Sequence, residues 1–134
     1  MTNFSRWIDA LESGDYLQTT GVLRRDAEGG QPTFCVAGVA VDLAIKDGVP
    51  VEWDADSRTY IWADRCQCGC DLGPFAMTSN HTVPGPVKEW LGVTETPTVA
   101  AGVTVIQAND DRAWTFPEIA AGLRAYHVLA EVGA

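Results

Sequence analysis

The sequence predicts an α+β fold: a single small domain of three to four helices with a small antiparallel sheet or hairpin. Three observations carry this. Apolar residues recur at helical spacing at both ends of the chain. Two short β-branched and aromatic runs flank a turn near the middle. Finally, 134 residues with 46% hydrophobic content suit a single globular domain spanning 1–134 with a sizeable core.

The first helix is expected from Asn3, a capping residue, with Phe4, Trp7, Ile8 and Leu11 at i, i+3, i+4, i+7 on one stripe and Gly14 closing it. Tyr16 to Leu23 reads as extended, and Arg24 to Pro32 as a polar loop with a glycine pair. Phe34 to Lys46 is almost wholly apolar apart from Asp42. Its length favours a buried helix over a strand, and Asp47-Gly48 stops it. Val51-Glu52-Trp53 and Thr59-Tyr60-Ile61-Trp62 form a hairpin around Asp54-Ala55-Asp56-Ser57.

Residues 63–84 are the least regular, rich in Cys, Gly, Asn and Pro. Pro86 to Leu91 fits a short helix with an early proline and Gly92 at its end. Val103 to Ile106 alternates like a strand, and Asn109-Asp110-Asp111 is turn chemistry. The last helix carries the clearest signal. Thr115-Phe116-Pro117-Glu118 has capping-box spacing, and Phe116, Ile119, Ala120, Leu123, His127 and Ala130 share one face.

Against 9 Lys+Arg stand 18 Asp+Glu, a formal net charge of −9. Such a chain repels phosphate backbones and anionic lipid surfaces, so neither a nucleic-acid nor a membrane partner is expected. No run is long enough to span a bilayer, and the opening Met1-Thr2-Asn3-Phe4-Ser5-Arg6 has no secretory pattern. The expectation is a cytoplasmic protein whose four cysteines stay reduced.

The string Trp7…Ala10-Leu11-Glu12-Ser13-Gly14-Asp15-Tyr16-Leu17-Gln18 is followed by Phe34-Cys35-Val36-Ala37-Gly38-Val39-Ala40-Val41-Asp42-Leu43-Ala44. Val87…Trp90-Leu91-Gly92, Asn109-Asp110 and Thr115-Phe116…Glu118-Ile119-Ala120 come later in the same order. Together these blocks resemble a family of small proteins of actinobacterial phages and prophages that has no established activity. The resemblance covers most of the chain except 54–82. It implies an accessory protein working in the cytoplasm of a bacterial host. It also marks the Cys-containing stretch at about 63–83 as a variable insertion. Relatives often carry further cysteines where this chain has Val36 and Val41, which weakens any multi-thiol mechanism on that helix.

Three constellations are candidates for function. Cys66, Cys68 and Cys70 with His81 offer the donor set of a structural zinc site, although the spacing is not C-x₂-C and a loop of free thiols is the alternative. Zinc is the one cofactor the sequence suggests. Cys35, His81 and Asn109 follow the order of cysteine hydrolases, with the helix dipole expected to lower the Cys35 thiol pKa. A small buried cysteine is the plainer reading. Trp53 and Trp62 beside Asp54 and Asp56 would, if exposed, make an acidic aromatic patch for a basic protein partner or for a second copy of the chain. Core packing is the alternative for both indoles.

Three other residues are ambiguous. Asp42 inside an apolar helix needs partners, for which Arg24, Arg25 or a backbone cluster are available. Asn109-Asp110 reads as an Asx-turn or a ligand pair, and His127 as a core or interface residue. No P-loop, GxGxxG, HExxH or GxSxG occurs. The expected function is therefore binding of a bacterial host protein rather than catalysis.

Overall fold

A computed structural model describes residues 2–64, 75–93 and 96–132. Helix α1 spans Asn3–Ser13 and buries Trp7, Ile8 and Leu11. Its cap is Thr2 rather than Asn3: the Thr2 hydroxyl accepts the Ser5 N–H at 3.0 Å, while the Asn3 amide donates to the Trp90 carbonyl at 2.8 Å. Gly14 ends the helix at φ 80°, as its position suggested.

Strands β1 (Leu17–Gln18), β2 (Arg24–Asp26) and β3 (Pro32–Phe34) form a sheet in the order β1-β3-β2, with β1 parallel and β2 antiparallel to β3. Strand β2 lies where a polar loop was expected. Its residues Arg24-Arg25-Asp26 face largely outward and carry no apolar alternation to announce a strand.

Helix α2 (Val36–Lys46) is the centre of the fold, touching α1, β3 and three elements that follow it in the chain. Val36 through Val41 and Ala44 are all buried, which explains its continuous apolar sequence. Beyond it, β4 (Val51–Asp54), β5 (Thr59–Asp64) and β6 (Phe75–Ser79) form an antiparallel meander. The hairpin is thus as expected, and β6 adds a third strand inside the stretch read as irregular.

Helix α3 (Gly85–Leu91) opens with its proline and closes on Gly92 at φ 78°. Strands β7 (Thr98–Ala100) and β8 (Val103–Thr104) pair antiparallel. The strand expected over Val103 to Ile106 stops early because Thr104 and Gln107 exchange a capping box and start α4 (Val105–Asp110). Helix α5 (Phe116–Val132) begins at the expected box: the Thr115 N–H donates to Glu118 Oε1 at 3.1 Å, and Phe116, Ile119, Ala120 and Leu123 are buried. The side chains of His127 and Ala130 lie outside the described residues. The class is α+β, with α4 added to the four expected helices. Among the described residues no helix is long and apolar enough to cross a membrane.

One close approach fixes the arrangement. The Leu23 backbone lies directly on α2 at Gly38, where a Cβ would collide with the Leu23 carbonyl oxygen and sit 2.8 Å from its carbonyl carbon. Leu23 also accepts the Cys35 N–H through its carbonyl at 3.2 Å and donates its own N–H to the Asn80 carbonyl at 2.7 Å. A methyl group at position 38 must therefore push two backbone segments apart. Gly38→Ala should destabilise the protein by about 3 kcal/mol in urea unfolding. Gly14→Ala, strained only by its positive φ and with open space around it, should cost about 1 kcal/mol. Equal effects would show that the Leu23 contact is not a constraint.

Candidate functional site

Asp42 finds partners other than the arginines expected for it. The Tyr16 hydroxyl donates to Asp42 Oδ2 at 2.6 Å, Lys46 Nζ approaches the same oxygen at 2.9 Å, and Lys46 Nζ reaches the Tyr16 oxygen at 3.3 Å. Lys46 is one helical turn after Asp42, so α2 itself supplies two of the three groups. Tyr16 arrives from the chain between α1 and β1, its ring edge-on to Phe34 at 5.3 Å.

This cluster lines an open cleft of about 620 Å³ bounded by α1, α2 and the β1-β3-β2 sheet. Arg6, Arg24 and Lys46 line it together with Asp9, Asp15 and Asp42, and Leu17 and Leu43 add apolar wall. Burial pushes the Tyr16 phenol up to about 12, helped by its bond to Asp42. The hydrogen bond to Asp42, and then that to Tyr16, raise the Lys46 ammonium above its ordinary value. Near neutrality the phenol is therefore a neutral donor and the ammonium a cation.

The hairpin indoles do not form an exposed patch. Val51, Trp53, Tyr60 and Trp62 face one another across β4 and β5 on the inward face, and Trp62 is only 5% exposed. Trp53 is half-buried, its ring against Tyr60 at 4.9 Å and under the Arg24 guanidinium at 4.7 Å. Asp54 shapes the turn, its two oxygens accepting from the Asp56 N–H at 3.0 Å and the Ser57 hydroxyl at 2.9 Å. These bonds, Ser57 foremost, hold its carboxyl below the usual range. Asp56 is exposed on that turn.

Cys35, His81 and Asn109 gather around the same segment, Thr19 to Leu23, but each bonds to that segment rather than to the others. Cys35 is the N-cap of α2, its sulfur accepting the Gly38 N–H at 3.4 Å. His81 Nδ1 donates to the Gly21 carbonyl at 3.0 Å. Asn109, fully buried, donates to the Thr19 carbonyl at 3.0 Å and to Asp110 Oδ1 at 2.7 Å, and accepts from Gln18 Nε2 at 2.8 Å. Asp110 Oδ1 also accepts the Gly21 N–H at 3.1 Å.

The expectation of a dipole-lowered thiol is reversed: burial outweighs the helix N-terminus and pushes Cys35 up to about 11. Cys66, Cys68 and Cys70 lie outside the described residues. Among the described residues no group of three or more metal-ligating side chains converges. Tyr16 and Lys46 are functional candidates that the candidate constellations in the sequence did not include. Only Lys46 carried a signal, its i+4 spacing from Asp42.

The Cys35 shift has a measurable consequence. In the unfolded chain the thiol loses its proton near 9, and in the fold only near 11. Its contribution to stability is complete below pH 9 and is lost as pH rises through 11, amounting to about 2–3 kcal/mol. Denaturant midpoints measured from pH 8 to 11 should fall less steeply in Cys35→Ala than in wild type. Parallel curves would mean that the thiol is not desolvated.

No curated protein and no solved structure matches the chain. Residues 4–127, from the first turn of α1 well into α5, match a family described as a domain of unknown function, DUF8296, and the chain belongs to that family.

Proposed function

We propose that this chain is a non-catalytic accessory protein of phage or prophage type that binds a protein of the bacterial host in its cytoplasm. The observation that carries the reading is the wide cleft. Three cations and three carboxylates line an open depression beside Leu17, which is 46% exposed, and the titratable pair at its centre holds its protons at neutral pH. Such a surface recognises charge and shape and lacks a group poised for proton transfer. Of the lining charges, Arg6 is paired with Asp47 and Asp9 with Arg124, which also binds Glu12. Exposed acids such as Glu28, Glu52 and Asp56 form no ion pair among the described residues, and the net field steers basic partners.

The geometry favours the cleft over the hairpin as the docking face, because Trp62 belongs to the core. Native mass spectrometry of tagged protein from an actinobacterial lysate should show a stoichiometric partner. Leu17→Asp should weaken that complex about tenfold, roughly 1.4 kcal/mol, whereas Asp56→Lys should leave it intact. The reverse pattern would move the interface to the acidic hairpin. A second copy of the chain as sole partner would make the cleft a homodimer surface, and absence of any partner would overturn the reading.

A second reading, a zinc-stabilised module, is favoured by His81. A carbonyl can only accept, so the bond to Gly21 puts the ring proton on Nδ1 and leaves Nε2 as a ligand atom in the neutral ring. That is the orientation in which zinc-binding histidines are usually held. With Cys66, Cys68 and Cys70 the set would be three thiolates and one imidazole, a closed structural site. Gently purified wild-type protein should then carry one equivalent of zinc and His81→Ala markedly less. Metal below one equivalent in the wild type would end this reading.

A further inference from the structure

The geometry points to a second, smaller binding site, for a phosphomonoester dianion, in the cleft of about 400 Å³ between β2, the β4–β5 turn and Asn80. Arg24, Arg25 and Arg58 line this cleft together with Trp53 and Asn80, and the one acid in it, Asp26, is already paired to Arg24 at 3.0 Å. Three arginines on one cleft go against expectation in a chain with 18 acids and 9 bases. Arg25 and Arg58 form no ion pair among the described residues, so the pocket keeps uncompensated positive charge in a chain of net charge −9.

The site is built rather than incidental. Asn80 clamps the backbone of Arg24 on both sides: its Oδ1 accepts the Arg24 N–H at 3.0 Å and its Nδ2 donates to the Arg24 carbonyl at 2.8 Å. The Arg24 guanidinium lies over the Trp53 ring, and its side chain is only 22% exposed. Arg58 occupies the left-handed region at φ 58°, where glycine or asparagine would sit with less strain, and its N–H is tied to the Asp54 carbonyl at 2.8 Å. Arginine side chains dominate the lining, and the Trp53 Nε1–H beside them is buried without a hydrogen-bond partner. Anions complement an arginine-lined cleft.

Three arginines lining one cleft suit a group with three terminal oxygens better than a carboxylate with two, which selects a phosphomonoester. The same chemistry is offered by a small phosphorylated molecule and by a phosphorylated side chain. Thermal shift and calorimetric titration with inorganic phosphate should show saturable binding to wild-type protein, with no comparable effect of acetate at matched ionic strength. Arg25→Gln combined with Arg58→Gly should weaken binding at least tenfold, while Arg112→Gln, outside the cleft, should not. Glycine suits the backbone at 58, so the double variant is expected to fold, and circular dichroism checks this.

Phenyl phosphate binding as tightly as a phosphoserine peptide would identify a small-molecule site; a tighter peptide would identify a partner-borne phosphate. Affinity for the peptide should also fall below pH about 6 as the monoester takes up its second proton. Equal responses to phosphate and acetate, or unchanged affinity in the folded double variant, would overturn the proposal.

Discussion

The contact between the Leu23 backbone and α2 is the constraint on which both clefts depend. Because position 38 has no side chain, the Leu23 backbone can lie against the helix, and the segment Thr19–Leu23 that it ends exchanges bonds with several elements. Cys35 receives one of them at the start of α2, Asn109 and Asp110 take two more at the end of α4, and Asn80 and His81 take those after β6. The strand that follows, β2, is set by this anchoring and carries Arg24 between the two clefts. A polar, outward-facing strand of three residues has little of its own to hold it. Its position is inherited from Leu23.

That view changes what the cysteine, histidine and asparagine are for. Their order along the chain suggests a catalytic triad, and the fold does bring them near one backbone segment. Cys35 and Asn109 nevertheless satisfy polar groups that burial would otherwise leave unpaired, while His81 ties the Gly21 carbonyl at the surface, and a fully buried amide such as Asn109 is stable only when its donors and acceptors are used. Cys35 serves as a weak helix cap in a dry environment, where the thiolate is disfavoured. The bonds these three residues make are those of a clamp on one backbone segment.

Legibility in the sequence followed the range of the interactions. Stripes at Trp7, Ile8 and Leu11 and at Phe116, Ile119 and Leu123 gave helices because the period is local. Gly14, Gly92 and the Thr115–Glu118 box gave their ends for the same reason. Thr104 and Gln107 form an equally local box, but it follows the alternating Val103 to Ile106 and was hidden by it. The inward phase of Trp53 and Trp62 was present in the alternation of Val51, Glu52 and Trp53; the neighbouring acids suggested an exposed patch instead. Tyr16 is 26 residues from Asp42, and no local pattern predicts that they meet. The arginine cleft joins β2 to a turn some thirty positions later, so only the fold shows it.

Arg24 is the wall between the two clefts, and the forces that hold it differ in strength. Its ion pair with Asp26 is partly exposed and is worth at most about 1 kcal/mol, less in salt. Stacking on Trp53 at 4.7 Å and the Phe34 ring at 5.8 Å is less exposed to screening, and the Asn80 amide fixes the backbone beneath it. The guanidinium is therefore oriented chiefly by aromatic faces and by the clamp, with its charge only lightly neutralised. A cation held by packing rather than by a buried carboxylate keeps its field for whatever enters either cleft. In a chain as acidic as this one, that separation of position from neutralisation is what lets a basic pocket persist at all.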